Sequence, residues 1–201
     1  MIVELGADVC PKQRLLMHDS DMAGTKMSVI EPRDDPDELF DLVDADDRVI
    51  GTVRRHDAHT NPSLIHRSVQ VLVFSTDGKV LLQRRSQHKD LFPGYWCASA
   101  SGHVGQGETY DVTAVREVLE ELGISVPVHS AGKTTVRSIY ETEITALYTA
   151  HSDGPFHFHP TETDGGEYFD QERLASARRD SSLPMTPALI AAIDALLAGT
   201  E

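Results

Sequence analysis

From Leu39 onward the chain runs in short apolar bursts separated by turn-forming residues. Leu39-Phe40-Asp41-Leu42-Val43 and Val49-Ile50-Gly51-Thr52-Val53 flank the acidic stretch Asp44–Asp47, which predicts a hairpin. Ser68–Phe74 is rich in strand-forming residues, Thr76-Asp77-Gly78 supplies a turn, and Val80-Leu81-Leu82-Gln83-Arg84 resumes the extended pattern. An Asp-Gly pair between two apolar runs is a strong hairpin signal, because glycine tolerates the positive φ of a tight turn. Phe92-Pro93-Gly94-Tyr95-Trp96 then predicts a turn leading into a strand over Cys97–Ser101.

The period changes after Thr109. Val112, Val115, Leu119 and Leu122 step by three, four and three residues, which predicts one buried face of a helix ending at Gly123. Strands are expected near Val136–Tyr140 and Ile144–Ala150, with a short one at Glu167-Tyr168-Phe169. A last helix starts at Thr186-Pro187, and Leu189, Ile193, Leu196 and Leu197 form its apolar stripe. This order predicts an α+β domain over residues 37–201, with helices packed on a sheet. Residues 1–36 end in the proline-broken, acidic run Glu31-Pro32-Arg33-Asp34-Asp35-Pro36 and read as a flexible extension, with Met27 an alternative start.

Composition narrows the partners. The chain has 201 residues, 40% of them hydrophobic, and a formal net charge of -14. Such a surface repels phosphate backbones and anionic lipid, so neither nucleic acid nor membrane is an expected partner. An acidic chain that handles an anionic small molecule needs a local positive device. A bound metal is one. The cluster Arg84, Arg85 and Lys89 is another, either a diphosphate clamp or a surface strand end. Two cysteines, Cys10 and Cys97, fit a reducing compartment. No stretch reaches membrane-spanning length and no secretory signal is evident, so a cytoplasmic location is expected.

The densest chemistry lies on the central helix. Glu117, Glu120 and Glu121 are neighbours at helical spacing, and such like charges repel by about 0.2–0.5 kcal/mol per pair. A hard divalent cation would relieve that repulsion and take the oxygens as ligands. Arg116 can offset one charge and orient a carboxylate. A solvated acidic face is the alternative. Gly102-His103-Val104-Gly105-Gln106-Gly107-Glu108 leads straight into the helix, and a glycine-rich loop lets backbone approach a phosphate or metal. Loop and helix together point to a metal–diphosphate site.

This stretch resembles the Nudix box. Gly102, Glu108, Arg116, Glu117, Val118, Glu120, Glu121, Gly123 and Ile124 occupy its fixed positions. The resemblance implies the Nudix fold, a mixed β-sheet sandwiched between α-helices, extending over about residues 38–198. It also implies Mg²⁺ or Mn²⁺ on Glu117, Glu120 and Glu121, with the Gly102 carbonyl as a further ligand and Glu108 and Arg116 holding the loop and carboxylates in place. The implied reaction is water attack on a small-molecule diphosphate. Glu120 or Glu117 could supply the general base, and Glu167 is a candidate from outside the box. Homodimerisation is an analogy with the family.

The flanks resemble one branch, the isopentenyl-diphosphate isomerases and their hydrolase relatives. Leu42-Val43-Asp44, Gln83-Arg84-Arg85-Ser86 and Phe92-Pro93-Gly94-Tyr95-Trp96 carry that likeness. His59, His66, His103, Glu141 and Glu143 fall where the isomerases hold a second metal, although a capping role for His103 and a solvent-facing Glu141-x-Glu143 pair are the alternatives. Two departures favour a hydrolase. Ser101 stands where the isomerase cysteine is expected, and Met185-Thr186-Pro187-Ala188 has no aromatic where the isomerase uses a tryptophan. Hydrolase, isomerase-like enzyme and catalytically silent nucleotide sensor are therefore the three readings. The sensor fits worst because every metal carboxylate is retained.

Overall fold

A computed structural model describes residues 2–4, 35–89 and 91–198; side chains are described for these except residues 2–4, 180 and 196–198. Cys10, Met27 and most of the expected N-terminal extension lie outside the described residues, as do the side chains of Leu196 and Leu197. Among the described residues, ten strands and four helices follow in order: β1 (Ile2–Glu4), β2 (Leu39–Val43), β3 (Val49–Arg54), α1 (Arg55–Ala58), β4 (Ile65–Phe74), β5 (Val80–Arg85), β6 (Trp96–Cys97), β7 (Ala100–His103), α2 (Tyr110–Leu122), β8 (His129–Arg137), β9 (Thr142–His151), β10 (Thr163–Phe169), α3 (Gln171–Asp180) and α4 (Pro187–Ala198). The main sheet runs β1-β8-β9-β4-β5-β10, and β2 and β3 form a separate hairpin.

The sheet is mixed, with β9 parallel to β4 and β5 antiparallel to it. Alternation along β4 sorts its side chains to two cores. Val69, Val71 and Val73 face α2, where Ala114, Val118 and Leu122 pack. Leu72 joins Leu82, Phe169, Leu174, Leu189 and Ile193 under α3 and α4 on the other face. The result is a sheet between helical layers, the architecture that the resemblance implies.

Local chemistry sets the boundaries. The Thr109 side chain accepts from the Val112 amide at the start of α2, and Gly123 closes the helix at φ 66°. Thr186 Oγ1 accepts from the Leu189 amide at the start of α4. Asp44 Oδ1 accepts from the Asp46 and Arg48 amides and shapes the β2–β3 turn.

Several elements differ from the sequence pattern. Val112, Val115 and Leu119 are exposed, and of the expected α2 stripe only Leu122 is buried. The inward face instead carries Ala114, Glu117, Val118, Glu121 and Leu122. Hydrophobic periodicity misplaced this face because two carboxylates point inward. The expected strand at 136–140 is β8, which ends at Arg137, while residues 138–141 turn with Ser138 Oγ accepting from the Tyr140 and Glu141 amides. The strand expected over 97–101 is split into β6, which pairs with β5, and β7, which pairs with β4. Helix α3 was not expected, since its ten residues include only one large apolar side chain, Leu174. Residues 2–4 pair in parallel with β8. That pairing places β1, not β8, at this edge of the sheet.

Candidate active site

One cavity of ≈ 210 Å³ collects the candidate chemistry, and strand register determines which residues enter it. β7 lies antiparallel on β4, with Ser101 opposite Gln70 and His103 opposite Ser68. Helix α2 packs over β7, bringing Glu117 and Glu121 down beside Gly102 and Ser101. A side chain at position 102 would occupy the space of the Glu117 carboxylate, so any residue but glycine would displace that carboxylate from the loop.

The carboxylates are held individually. Glu121 accepts from Gln83 Nε2 at 2.7 Å and from the Ser101 amide at 3.4 Å. Arg116 donates to Glu117 at 2.7 Å, to Glu120 at 3.3 Å, and to Glu108 at 3.1 Å. Glu108 also accepts from the Gly105 amide and from Thr113 Oγ1, tying the glycine-rich loop to the helix. Glu117 and Glu121 are buried while Glu120 stands at the mouth, exposed. Burial pushes Glu117 up to about 7, with Arg116 pulling back and Glu120 adding repulsion. Glu121 is raised well above the ordinary range by burial, then by the charges of Glu117 and Glu162. Burial outweighs the opposing pull of Arg116 on Glu117 and of Lys89 on Glu121.

The histidines converge beside this group. His66 on β4 is level with Glu143 on β9, and His103 follows Gly102 directly. Ligand atoms of His59, His66, His103 and Glu141 all lie within 4.8 Å of one another. His59 Nε2 is 3.1 Å from His103 Nε2 and 3.3 Å from Glu141 Oε2. Glu143 Oε1 is 3.5 Å from His103 Nε2 and 3.9 Å from His66 Nε2. Phe40 stacks on His103 and His66 at ring separations of 4.8 and 5.3 Å. Burial pushes His66 down to about 4 and also holds His103 well below its usual value, so both favour the neutral, metal-ligating form. Among the described residues, His66 Nε2 and Glu141 Oε2 are buried without hydrogen-bond partners.

Arg85 and Lys89 line the cavity, but Arg84 does not. Alternation along β5 turns Arg84 outward, where it donates to the Gly94 carbonyl. Glu167 is also outside the cavity, exposed and paired with Arg173 at 3.1 Å. Cys97 carries a free thiol, buried and pushed up to about 12 by that burial. Three charged lining residues, Glu38, Arg55 and Glu162, were missed in the sequence. Arg55 donates to Glu38 at 2.9 Å and approaches His103 Nδ1 at 3.4 Å. Its signal was the four-residue spacing to His59. Glu162 pairs with Lys89 at 3.0 Å, and its position in an irregular segment left no periodic signal.

The NUDIX domain model matches residues 64–189. The chain is 38% identical over 119 residues to an uncharacterised Nudix hydrolase of Streptomyces coelicolor, covering 54% of this chain and 65% of that protein. It is 37% identical over 92 residues to an isopentenyl-diphosphate Δ-isomerase of Nocardia farcinica, covering 46% of this chain and 53% of that enzyme. Both matches span less than two thirds of the relative's length. A crystal structure from Deinococcus radiodurans superposes with a TM-score of 0.68 at 26% identity, covering 78% of this chain and 98% of that one. With the glycine-rich loop, the α2 carboxylates and the sandwiched sheet all in one domain, the chain belongs to the Nudix hydrolase family.

Proposed function

We propose that the protein is a divalent-metal-dependent hydrolase that cleaves a diphosphate linkage in a nucleotide-type small molecule. The observation that carries this reading is the burial of Glu117 and Glu121 against Gly102, in a cavity that also receives Arg55, Arg85 and Lys89. Hard oxygen donors gathered on two buried acids and their neighbour fit Mg²⁺ or Mn²⁺, held by Glu117, Glu120, Glu121 and the Gly102 carbonyl. When bound, such an ion polarises phosphoryl oxygens, acidifies water and neutralises leaving-group charge.

The chain's own groups do the remaining work. Arg85, Lys89 and Arg55 bind and orient the anionic diphosphate. Arg116 sets the rotamers of Glu117 and Glu120, and Gln83 with the Ser101 amide fixes Glu121. Glu120, exposed at the mouth of the cavity, accepts the proton of the attacking water. Arg84 and Glu167 take no part in this account.

The histidine cluster favours a second reading, an isomerase-like enzyme with a further divalent ion on His59, His66, His103, Glu141 and Glu143. Imidazole and carboxylate together suit a transition-type ion. Against proton transfer of the isomerase kind, Ser101 offers a hydroxyl in place of a thiol, and the Cys97 thiol is buried with its pKa pushed up to about 12. Purified protein incubated with Mg²⁺ or Mn²⁺ and a panel of nucleotides, nucleotide sugars and isopentenyl diphosphate separates the readings. Release of phosphate-bearing products is expected. Double-bond migration without such release would replace the hydrolase reading with the isomerase one, and tight nucleotide binding with neither reaction would indicate a sensor. Metal content of the His59→Ala/His66→Ala double variant tests the second site; content equal to the parent's would remove it.

A further inference from the structure

The cavity is not uniformly charged. Leu91 and Phe92 from the β5–β6 turn, Val136 from β8, and Pro187 and Ala188 from the start of α4 line it alongside the acidic and basic groups. Phe92 is unusual among these. Its φ is 54°, a left-handed conformation that costs energy for any residue with a Cβ. Such strain persists only where surrounding contacts impose it, and it concentrates at ligand-binding positions. Here the contacts are the Gly94 amide on the Arg85 carbonyl at 3.1 Å, the Tyr95 amide on the Phe92 carbonyl at 3.3 Å, and Arg85 Nε on the Leu91 carbonyl at 3.1 Å. The Phe92 ring is buttressed by Tyr95 at 5.6 Å and, edge-on, by Tyr140 at 6.4 Å. Yet it is only half-buried and belongs to none of the apolar core clusters. A large ring is thus held in a disfavoured backbone, outside the core, on the wall of a charged cavity.

We propose that Phe92, with Leu91 beside it, is the specificity-determining wall for an apolar or π-faced group attached to the diphosphate. The inference rests on the diphosphate reading above. The Arg85–Leu91 hydrogen bond ties the cation that would meet the diphosphate to the turn that presents the ring. The cavity is smaller than the roughly 300–1,000 Å³ usual for drug-sized ligands, so it holds the diphosphate and only the first part of its substituent. A prenyl chain and a nucleobase both present a face that Phe92 can cover. Tyr95 and Tyr140 are positioning residues that act through it.

The test compares methyl diphosphate, isopentenyl diphosphate and ADP as substrates of the parent and of Phe92→Gly with Mg²⁺. Glycine accepts the left-handed backbone, so this variant removes the ring without straining the turn, and a cooperative thermal unfolding transition checks that it folds. For isopentenyl diphosphate, ADP or both, KM is expected to rise about tenfold with kcat retained, and for methyl diphosphate to stay within about twofold. Which substituted substrate loses affinity identifies the prenyl or the base source. Equal change for all three, or no change for any, overturns the wall. If the parent turns over none of them, the hydrolase reading rests on the wider substrate panel, and calorimetric binding of the non-hydrolysable methylene analogues still decides: equal affinities in parent and variant overturn the proposal, and a loss confined to the substituted analogues supports it.

Discussion

Glu117 shows how far a single position can be read from type and spacing. Its place in an acidic trio was visible in the sequence, but its burial was not. That burial has a pH consequence. A carboxyl whose folded pKa exceeds its unfolded value contributes stability below the folded pKa, and the contribution is lost as pH rises through it. For Glu117 the window runs from the ordinary 4.5 to about 7, at up to about 1.4 kcal/mol per pH unit. His66, pushed down to about 4, acts oppositely, losing stability as pH falls from 6.5. Denaturant titrations of metal-free parent and Glu117→Gln across pH 5–8 isolate the first effect: the difference between the two curves should slope with pH, and parallel curves would contradict it. Divalent metal should bind with proton release near pH 6 and with little above pH 8, as calorimetry in buffers of different ionisation enthalpy would show. Arg85 and Arg84 make a second contrast. Arg85→Ala should raise KM by about tenfold or more, while Arg84→Ala should leave it within about twofold. Equal effects would mean that strand alternation has been misread. Cys97 should resist a thiol reagent at pH 8 in a Cys10→Ser background until the protein unfolds, because burial keeps it a thiol.

Among elements, α2 was legible in extent but not in orientation. Its cap at Thr109, its stop at Gly123 and its acidic spacing are local signals, and the structure shows all three. Its rotation was set by tertiary chemistry, because Glu117 and Glu121 turn inward and Val112, Val115 and Leu119 turn out. Leu122→Ala should therefore cost about 2–5 kcal/mol in a denaturant titration, and Val112→Ala less than about 0.5 kcal/mol. Comparable losses would restore the valine stripe as core. The β2–β3 hairpin was legible from alternation, but its attachment was not. Asp47 in its turn bonds Arg67 at 2.6 Å, Lys133 at 2.7 Å and Tyr110 at 3.1 Å, contacts between segments far apart in sequence. Burial alone would raise the Asp47 pKa, but the bonds to Lys133 and Arg67 outweigh it and the net shift is downward. The associated stability is present above the ordinary 3.8 and fades as pH falls through the lower folded value. Asp47→Ala should cost about 1–3 kcal/mol at neutral pH and less in acid.

For the molecule as a whole, the family and the α+β architecture followed from the glycine-rich loop, the helix spacing and the alternating strands. What assembles the cavity is register between strands distant in sequence. His66 meets Glu143 only because β4 and β9 run parallel at that pairing, and Arg55 and Glu162 enter from segments with no pattern of their own. The acidic surface expected from the net charge of -14 gives way inside the cavity to Arg55, Arg85 and Lys89 facing buried carboxylates. The central claim is that those carboxylates, loaded with a divalent ion, drive diphosphate hydrolysis. The direct measurement is phosphate-product release from a diphosphate substrate by the parent and by Glu121→Gln, each with Mg²⁺ or Mn²⁺ and with chelator. Turnover is expected in the metal-loaded parent, with loss on chelation and a fall of about 100-fold or more in kcat for the variant. Turnover that survives chelation, or a Glu121→Gln enzyme as fast as the parent, would contradict it.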